Sequence, residues 1–260
     1  MKATLITGAS GGIGEAFARR LAEEGHNLVL VARSEDKLRA LRDELQAKHE
    51  ITAHFIAVDL TGFEADKQLF EETESNGIAV DWLINNAGFG SMGDFTKLDL
   101  ERELGMIDLN ISCLVALTHR YLAKMRERRS GTIINVSSAA GFQPIPFMAT
   151  YAATKAFVTS FSEALAEENR HYGIQILALC PGSTETNFHD AAGIDRALGF
   201  KGQETVEDVV ETAMKAVASK RAKIISGWTN WFVASAVNFV PNSLITRVMG
   251  KGMRGRFQKD

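Results

Sequence analysis

A tyrosine and a lysine four residues apart are the side chains of this sequence best suited to transferring a proton. Tyr151 and Lys155 stand in a predicted helix, where residues four apart share one face. A free tyrosine has a pKa of about 10, and lowering that pKa to about 7 requires about 4 kcal/mol. An ammonium group about 4 Å away supplies about 4 kcal/mol at an effective dielectric constant of about 20. The pair therefore predicts a general acid or base whose pKa is lowered by Lys155.

A glycine-rich turn follows the first apolar run of the chain. Residues 7–14 read TGASGGIG and lead into a stretch with helical periodicity. Glycines let the backbone approach a pyrophosphate, whose charge is favoured by the free amides and dipole of the helix. This position favours a dinucleotide site over an ordinary turn. A literal GxGxxG at Gly88, Gly90 and Gly93 follows the fourth strand instead, so we interpret it as a wall near the cofactor.

The residues after the second apolar run indicate which dinucleotide is bound. This stretch reads Val31-Ala32-Arg33-Ser34, with no carboxylate at Ala32 to accept hydrogen bonds from the adenosine ribose. The guanidinium of Arg33 can hold a 2′-phosphate through two hydrogen bonds, and Ser10 can add a contact. The sequence therefore predicts NADP (NADPH) rather than NAD. The alternative is that Arg33 is a solvated surface cation.

Seven short apolar runs alternate with longer stretches of helical periodicity. The runs are residues 3–7, 27–32, 52–58, 80–85, 131–137, 174–180 and 222–226. Strands that are apolar at nearly every position and separated by helices pair in parallel, because helices cover both faces of the sheet. We therefore predict an α/β fold with a doubly wound parallel seven-stranded sheet. Residues 1–226 form one catalytic domain, and residues 227–260 a helical extension packed on it.

Composition excludes several classes of protein. The 260 residues carry a formal charge of -3 and are 45% hydrophobic, which is typical neither of a nucleic-acid binder nor of disorder. The two cysteines and six histidines lack the spacing of a disulfide framework or a metal site. An apolar strand follows Met1 and Lys2 directly, so we expect no signal peptide and a cytoplasmic location. The apolar stretch 231–240 is about half of the roughly 20 residues that span a bilayer.

Five motifs together resemble the short-chain dehydrogenase/reductase family. They are the TGASGGIG turn, Asn85-Asn86-Ala87-Gly88, Ser138, the pair Tyr151 and Lys155, and Pro181-Gly182. The resemblance covers residues 1 to about 226. It implies a Rossmann fold and an oxidoreductase that transfers a hydride between NADP(H) and a carbonyl or alcohol, as a homodimer or homotetramer.

The resemblance also implies a role for each candidate site residue. Tyr151 is the general acid or base, Ser138 holds the substrate oxygen, and Lys155 tunes Tyr151 and contacts the nicotinamide ribose. Asn110, placed in a long fourth helix, orders a relay water; the alternative is a local hydrogen bond or a helix bend. Ser137, the rival of Ser138, is expected on the opposite face of the sheet. The implied cofactor-binding residues are Gly8, Ser10, Gly12, Ile13, Gly14, Arg33, Asp59, Leu60, Asn86, Ala87, Gly88, Tyr151, Lys155 and Thr186.

The residues expected around the substrate are apolar, which favours a lipophilic ketone or aldehyde over a small substrate. They are Phe142, Pro144, Ile145, Pro146, Phe147, Phe188 and Phe200. Residues 228–260 carry a net charge of +4, which leaves -7 for the rest of the chain. We expect this segment to cap the pocket or to form an oligomer interface. The alternative is a membrane-surface segment that inserts Trp228, Trp231, Phe232 and Phe239.

Two other functions compete with the reductase. One is a non-catalytic NADP-responsive binding protein that retains the fold, which the complete set of Ser138, Tyr151 and Lys155 argues against. The other is a sugar-nucleotide epimerase or dehydratase, which uses similar tyrosine and lysine chemistry. The chain offers no sizeable C-terminal domain for a nucleotide sugar, so this function is disfavoured.

Overall fold

The seven apolar runs form one parallel sheet in the computed structural model, which describes residues 1–184 and 204–258, the side chain of Asn238 excepted. The strands are β1 Lys2–Thr7, β2 Leu28–Ala32, β3 Ala53–Ala57, β4 Ala79–Asn85, β5 Gly131–Val136, β6 Ile174–Cys180 and β7 Lys223–Ile225. They pair in the order β3-β2-β1-β4-β5-β6-β7. The predicted doubly wound parallel seven-stranded sheet is confirmed.

Helices connect the strands and cover both faces of the sheet. They are α1 Gly12–Glu23, α2 Glu35–Lys48, α3 Ala65–Ser75, α4 Leu100–Ile107, α5 Leu114–Arg128, α6 Ala149–Asn169, α7 Val206–Ala218, α8 Trp228–Ala236 and α9 Asn242–Phe257. Side chains alternate along β1, so Ile6 joins a core with Phe17 of α1, whereas Leu5 joins a second core with Leu117 of α5. Both faces of the sheet are therefore buried, which explains the continuous apolar runs.

The strand order reverses beside β1, and this reversal positions the candidate site. The chain goes from β1 to β2 on one side, and β4 then pairs with the other edge of β1. A crevice forms at the carboxyl ends of the strands at such a switch point. The glycine turn follows β1, Asn86 follows β4 and Ser138 comes shortly after β5. Residues distant in sequence thus meet at one edge of the sheet.

Two helices follow the last strand among the described residues. Helix α8 has 9 residues and α9 has 16. Across the residues that the structure describes, none of the helices combines the length and the apolar character required to cross a bilayer.

Candidate active site

The glycine turn after β1 forms a cradle with room for a pyrophosphate. Gly8 has φ of 68° and Gly12 has φ of 57°, a left-handed conformation that disfavours other residues. A Cβ atom at Gly14 would collide with the carbonyl oxygen of Gly8. Gly11, the N-cap of α1, has no side chain to cap the first amides of the helix. The turn therefore fits the phosphates of a dinucleotide.

Two polar side chains brace this turn. The hydroxyl of Thr7 accepts hydrogen bonds from the backbone amides of Asn86 (3.0 Å) and Ala87 (2.9 Å). The side-chain amide of Asn86 donates to the carbonyl oxygens of Thr7 (2.9 Å) and Gly8 (3.3 Å). The sequence placed Asn86 beside the adenosine and missed this brace. Leu60 and Ala87 border one small cavity with Thr7.

Arg33 and Asp59 stand side by side after β2 and β3. A guanidinium nitrogen of Arg33 lies 3.9 Å from a carboxylate oxygen of Asp59, and their side chains are 78% and 51% exposed. Asp59 also accepts hydrogen bonds from the backbone amide (3.0 Å) and hydroxyl (2.8 Å) of Thr61, which hold its carboxyl pKa below the ordinary value. An exposed ion pair of this length is weak. The guanidinium is therefore available to a phosphate beside the crevice.

Tyr151 and Lys155 occupy the first turns of α6 and are both buried, at 7% and 6% exposure. The Lys155 ammonium lies 5.8 Å from the centre of the Tyr151 ring and donates to the carbonyl oxygen of Val136 at 2.8 Å. One helical face thus carries both groups, as their spacing predicts. The ammonium is anchored to the end of β5.

The prediction that Lys155 lowers the pKa of Tyr151 to about 7 is wrong for this structure. Burial raises the pKa of Tyr151 to about 12, although a hydrogen bond with Ser138 lowers it in part. Burial also lowers the pKa of Lys155 to about 8. The ammonium lies 5.8 Å from the centre of the ring and bonds to Val136, so its attraction for a phenolate is weaker than that of the contact of about 4 Å assumed in the prediction, and it does not offset the burial. Burial therefore keeps the phenol of Tyr151 protonated at neutral pH in this structure.

The two adjacent serines make different contacts with α6. Ser138 begins the short helical turn Ala139–Phe142, accepts a hydrogen bond from the amide of Ala140 at 3.1 Å, and bonds to Tyr151. Ser137 donates to the carbonyl oxygen of Lys155 at 2.7 Å. Beyond Val136 the backbone amides of Ser137 and Ala139 still donate to the carbonyl oxygens of Leu179 and Pro181, and Ser138 is extended. The expectation that Ser137 points to the opposite sheet face stays a prediction. Ser138 is the serine beside the phenol.

Asn110 lies in a π-helical turn, Asp108–Cys113, between α4 and α5. Its side chain accepts from the amide of Phe89 (3.2 Å) and donates to the carbonyl oxygen of Phe89 (3.0 Å) and the hydroxyl of Thr154 (3.1 Å). The backbone stays helical from α4 through this turn into α5, so the predicted long helix around Asn110 is present, with a π-helical turn in its middle. A π-helical turn is frequent at functional sites, and here it directs Asn110 to the loop after β4. A Cβ atom at Gly88 would lie 2.8 Å from the Asn110 oxygen, so that loop requires glycine.

Several buried polar residues that support the site were missed by the sequence reasoning. The amide of Asn85 donates to Thr118 (3.0 Å) and to Asn135 (2.9 Å), and Asn135 donates to Ser162 of α6 (2.9 Å). This network ties α5, β4, β5 and α6 together. The sequence of α6 did contain a pattern that could have revealed these residues, because polar residues recur at three- and four-residue spacing on the face of Tyr151 and Lys155. They are Thr154, Thr159 and Ser162.

The segment before Tyr151 is apolar and half-buried, and it contacts α9. Phe147 has φ of 66° and stacks on Phe257, with ring centres 5.0 Å apart. A Cβ atom at Gly250 would lie 3.7 Å from Pro146. The C-terminal helix thus lies beside the expected substrate side. Thr186, Phe188 and Phe200 lie outside the described residues.

Known proteins similar to this chain share one family. The short chain dehydrogenase family matches residues 2–197. The very-long-chain 3-oxoacyl-CoA reductase of Rattus norvegicus is 31% identical across 98% of this chain and 81% of its own length. A short-chain dehydrogenase from Sphingobium yanoikuyae, solved in complex with NADPH, is 31% identical with a TM-score of 0.84, covering 94% of this chain and 95% of that one. The bulky-bulky ketone specific alcohol dehydrogenase from Comamonas testosteroni is 29% identical with a TM-score of 0.78 over 92% of each chain. The chain therefore belongs to the short-chain dehydrogenase family, Rossmann-type oxidoreductases that act on CH–OH groups with a nicotinamide cofactor.

Proposed function

We propose that this protein reduces lipophilic ketones or aldehydes with NADPH, using Tyr151 as the general acid. The observation that carries the proposal is the buried phenol of Tyr151, hydrogen-bonded to Ser138 and sharing one face of α6 with the ammonium of Lys155. A phenol in this state holds the proton that a carbonyl oxygen needs during reduction. One similar protein is named a very-long-chain 3-oxoacyl-CoA reductase and another a bulky-bulky ketone specific alcohol dehydrogenase, which supports the substrate class.

Each residue of the site has a separate role in the proposed reduction. The nicotinamide, when bound, supplies the hydride to the carbonyl carbon. Ser138 holds the carbonyl oxygen by a hydrogen bond, and Tyr151 gives that oxygen its proton. The ammonium of Lys155, one helical turn away, stabilises the phenolate that remains. Asn110 keeps the loop at Phe89 against α6 through Thr154, and so positions the wall of the site.

The proposed preference for NADPH depends on Arg33. Its side chain is 78% exposed next to the carboxyl ends of β2 and β3, where the adenosine ribose of a dinucleotide is expected. The complex of the Sphingobium yanoikuyae enzyme with NADPH supports this preference. Ser10, half-buried in the glycine turn, is the proposed second phosphate contact.

Replacing Tyr151 by phenylalanine tests the mechanism. Tyr151→Phe removes the proton donor, so we expect the rate of NADPH oxidation by a panel of lipophilic ketones and aldehydes to fall about 100- to 10,000-fold. Binding of NADPH, followed by its fluorescence, should persist. Tyr172→Phe is the matched control, because it removes the same hydroxyl beyond the far end of α6. Unchanged activity in Tyr151→Phe would refute the mechanism.

The non-catalytic alternative makes a different prediction in the same experiment. If the wild-type protein binds NADPH tightly but reduces none of the carbonyl compounds, the binding-protein hypothesis is favoured instead. The homodimer or homotetramer and the cytoplasmic location stay predictions that follow from the family resemblance and the sequence.

A further inference from the structure

The C-terminal helices expose an unusual number of large apolar side chains. In α8, Trp228, Trp231 and Phe232 are 82%, 57% and 63% exposed, and Phe239 after this helix is 90% exposed. The three residues of α8 have i, i+3 and i+4 spacing, so they lie on one helical face. Ala234 is the buried residue of α8. Contiguous exposed aromatic residues of this kind mark a surface that binds another apolar phase.

Helix α9 follows these aromatic residues in the chain and is amphipathic. Its half-buried side chains, spaced four residues apart, face the protein, and they are Ile245, Met249, Met253 and Phe257. Its exposed side chains combine apolar Leu244 and Val248 with cationic Arg247, Lys251 and Arg254. One face of α9 is thus docked on the protein, and the other presents apolar and positive groups together.

The positive charge of residues 228–258 indicates which kind of partner can cover α8 and α9. Residues 228–258 contain four basic residues and no acidic residue, although the protein as a whole has a charge of -3. In a symmetric dimer the same patch meets itself, so a contact between two copies through α8 and α9 would bring the basic groups together. An anionic surface complements them instead. Tryptophan and basic residues are also the side chains enriched at the interface of a bilayer.

We propose that α8 and α9 bind the surface of an anionic lipid bilayer. Both helices lie in the plane of the interface, with Trp228, Trp231, Phe232 and Phe239 inserted at the level of the headgroups. The cations of α9 contact the anionic headgroups. In this proposal one face of α9 packs beside the expected substrate pocket, as a cap would. The exposed face of the same segment binds the membrane.

This surface adjoins the site. Phe257 of α9 stacks on Phe147, four residues before Tyr151, so the docked face of α9 borders the segment that leads to the phenol. If the proposed function holds, a lipophilic carbonyl compound dissolved in the bilayer reaches the site from that side. This consequence rests on the proposed function, whereas membrane binding itself does not.

Sedimentation with lipid vesicles tests the proposal on the full chain. We expect the protein to bind vesicles of phosphatidylcholine with phosphatidylserine, and to bind phosphatidylcholine alone more weakly. Added salt should weaken binding, because it screens the headgroup charges. Insertion of Trp228 and Trp231 should shift the tryptophan fluorescence to shorter wavelength. A wild-type protein that sediments with neither vesicle would overturn the proposal.

Two pairs of variants separate the apolar and the charged contributions. Phe239→Ser should reduce vesicle binding about tenfold, whereas Phe63→Ser, which removes an equally exposed phenylalanine (92%) far from α8, should not. The triple variant Arg247→Gln, Lys251→Gln, Arg254→Gln should reduce binding about a hundredfold, at about fivefold for each cation. Lys67→Gln, Lys124→Gln, Arg170→Gln removes the same charge elsewhere and is its control.

Three outcomes would overturn the membrane assignment. Equal losses in the test and control variants would show that the surface is not specific. Dissociation of a dimer by Phe239→Ser in analytical ultracentrifugation, with unchanged vesicle binding, would show that a second copy covers the patch. Persistent binding in both test variants would place the contact elsewhere. Because the readout is vesicle binding, these results are independent of the activity of Tyr151→Phe.

Discussion

Lys155 is the site residue whose protonation changes closest to neutral pH. Its ammonium is buried and donates to the carbonyl oxygen of Val136, and burial lowers its pKa from 10.5 to about 8. Tyr151, with a pKa of about 12, keeps its proton across the same range. A lysine with a lowered pKa is charged below that value and neutral above it. At the residue scale, the charge proposed to stabilise the phenolate therefore belongs to a group that titrates near pH 8.

The pH dependence of the reduction follows from this assignment. We expect kcat/KM for NADPH-dependent reduction to be constant near neutrality and to fall as pH rises through about 8, because neutral Lys155 no longer stabilises the phenolate. Steady-state rates measured from neutral to alkaline pH check this. In Lys155→Arg, which stays charged, the decline should disappear even if the rate is lower. A wild-type profile that is flat through this range would contradict the prediction.

Reversing the charge of Arg33 tests the choice of cofactor. In Arg33→Asp we expect the Kd of NADPH to rise about 10- to 100-fold, because hydrogen bonds to a charged phosphate are lost. The Kd of NADH should change less or improve. Arg170→Asp is the control, because the Arg170 side chain is 81% exposed, similar to Arg33, but lies beyond α6. Fluorescence titration with both dinucleotides measures the effect, and an unchanged preference would identify Arg33 as a surface cation.

At the scale of elements, the π-helical turn Asp108–Cys113 and α6 are held together by a side-chain contact. Asn110 donates to Thr154 at 3.1 Å, and Thr154 donates to the carbonyl oxygen of Tyr151 at 2.8 Å. The same asparagine holds both backbone groups of Phe89. The position of Tyr151 is thereby linked to the loop after β4. This contact explains why an asparagine is tolerated inside a helical stretch.

Thr154→Val should separate this positioning role from simple stability. The variant leaves the Asn110 amide without one acceptor, and we expect a loss of about 1 to 3 kcal/mol in the free energy of unfolding with a lower kcat. Thr73→Val is a close match, because the Thr73 hydroxyl is equally buried, donates to the carbonyl oxygen of Phe70 at 2.8 Å and contacts Tyr121 at 2.9 Å. Denaturation should show similar losses in both variants. Equal losses of kcat in both would refute the positioning role.

At the scale of the whole molecule, cofactor binding should stabilise the fold. A ligand that binds only the folded state contributes about 2.7 kcal/mol at 100 times its Kd, and about 5 to 10 °C in Tm for a protein of this size. Gly14→Ala should remove most of this shift, because its Cβ atom collides with the carbonyl oxygen of Gly8. Thermal unfolding with and without NADPH measures the shift.

The control for this experiment lies in the same turn. Gly11 has an extended φ of 171°, and a Cβ atom there would meet no atom within 4 Å. Gly11→Ala should therefore fold and keep the shift in Tm. Equal shifts in both variants would mean that the turn does not hold the phosphates.

The elements of the sheet and the spacing of Tyr151 and Lys155 on one helix followed from the sequence alone. Continuous apolar runs, helical periodicity and the glycine turn are local patterns, and each depends on residues close together in the chain. The strand from 174 to 180 was predicted at its observed bounds, and each end of the others within one residue. A spacing of four places Tyr151 and Lys155 on one face in any helix.

Only the tertiary structure decided the environment of these residues. The direction of the Lys155 ammonium depends on Val136 at the end of β5, and the conformation of Asn110 depends on Phe89 and Thr154. The exposure of α8 depends on which neighbours cover it. Each of these properties arises from contacts between residues distant in sequence, and the burial that those contacts produce sets the pKa values. Local spacing therefore identified the proposed proton donor, whereas packing decided its protonation state.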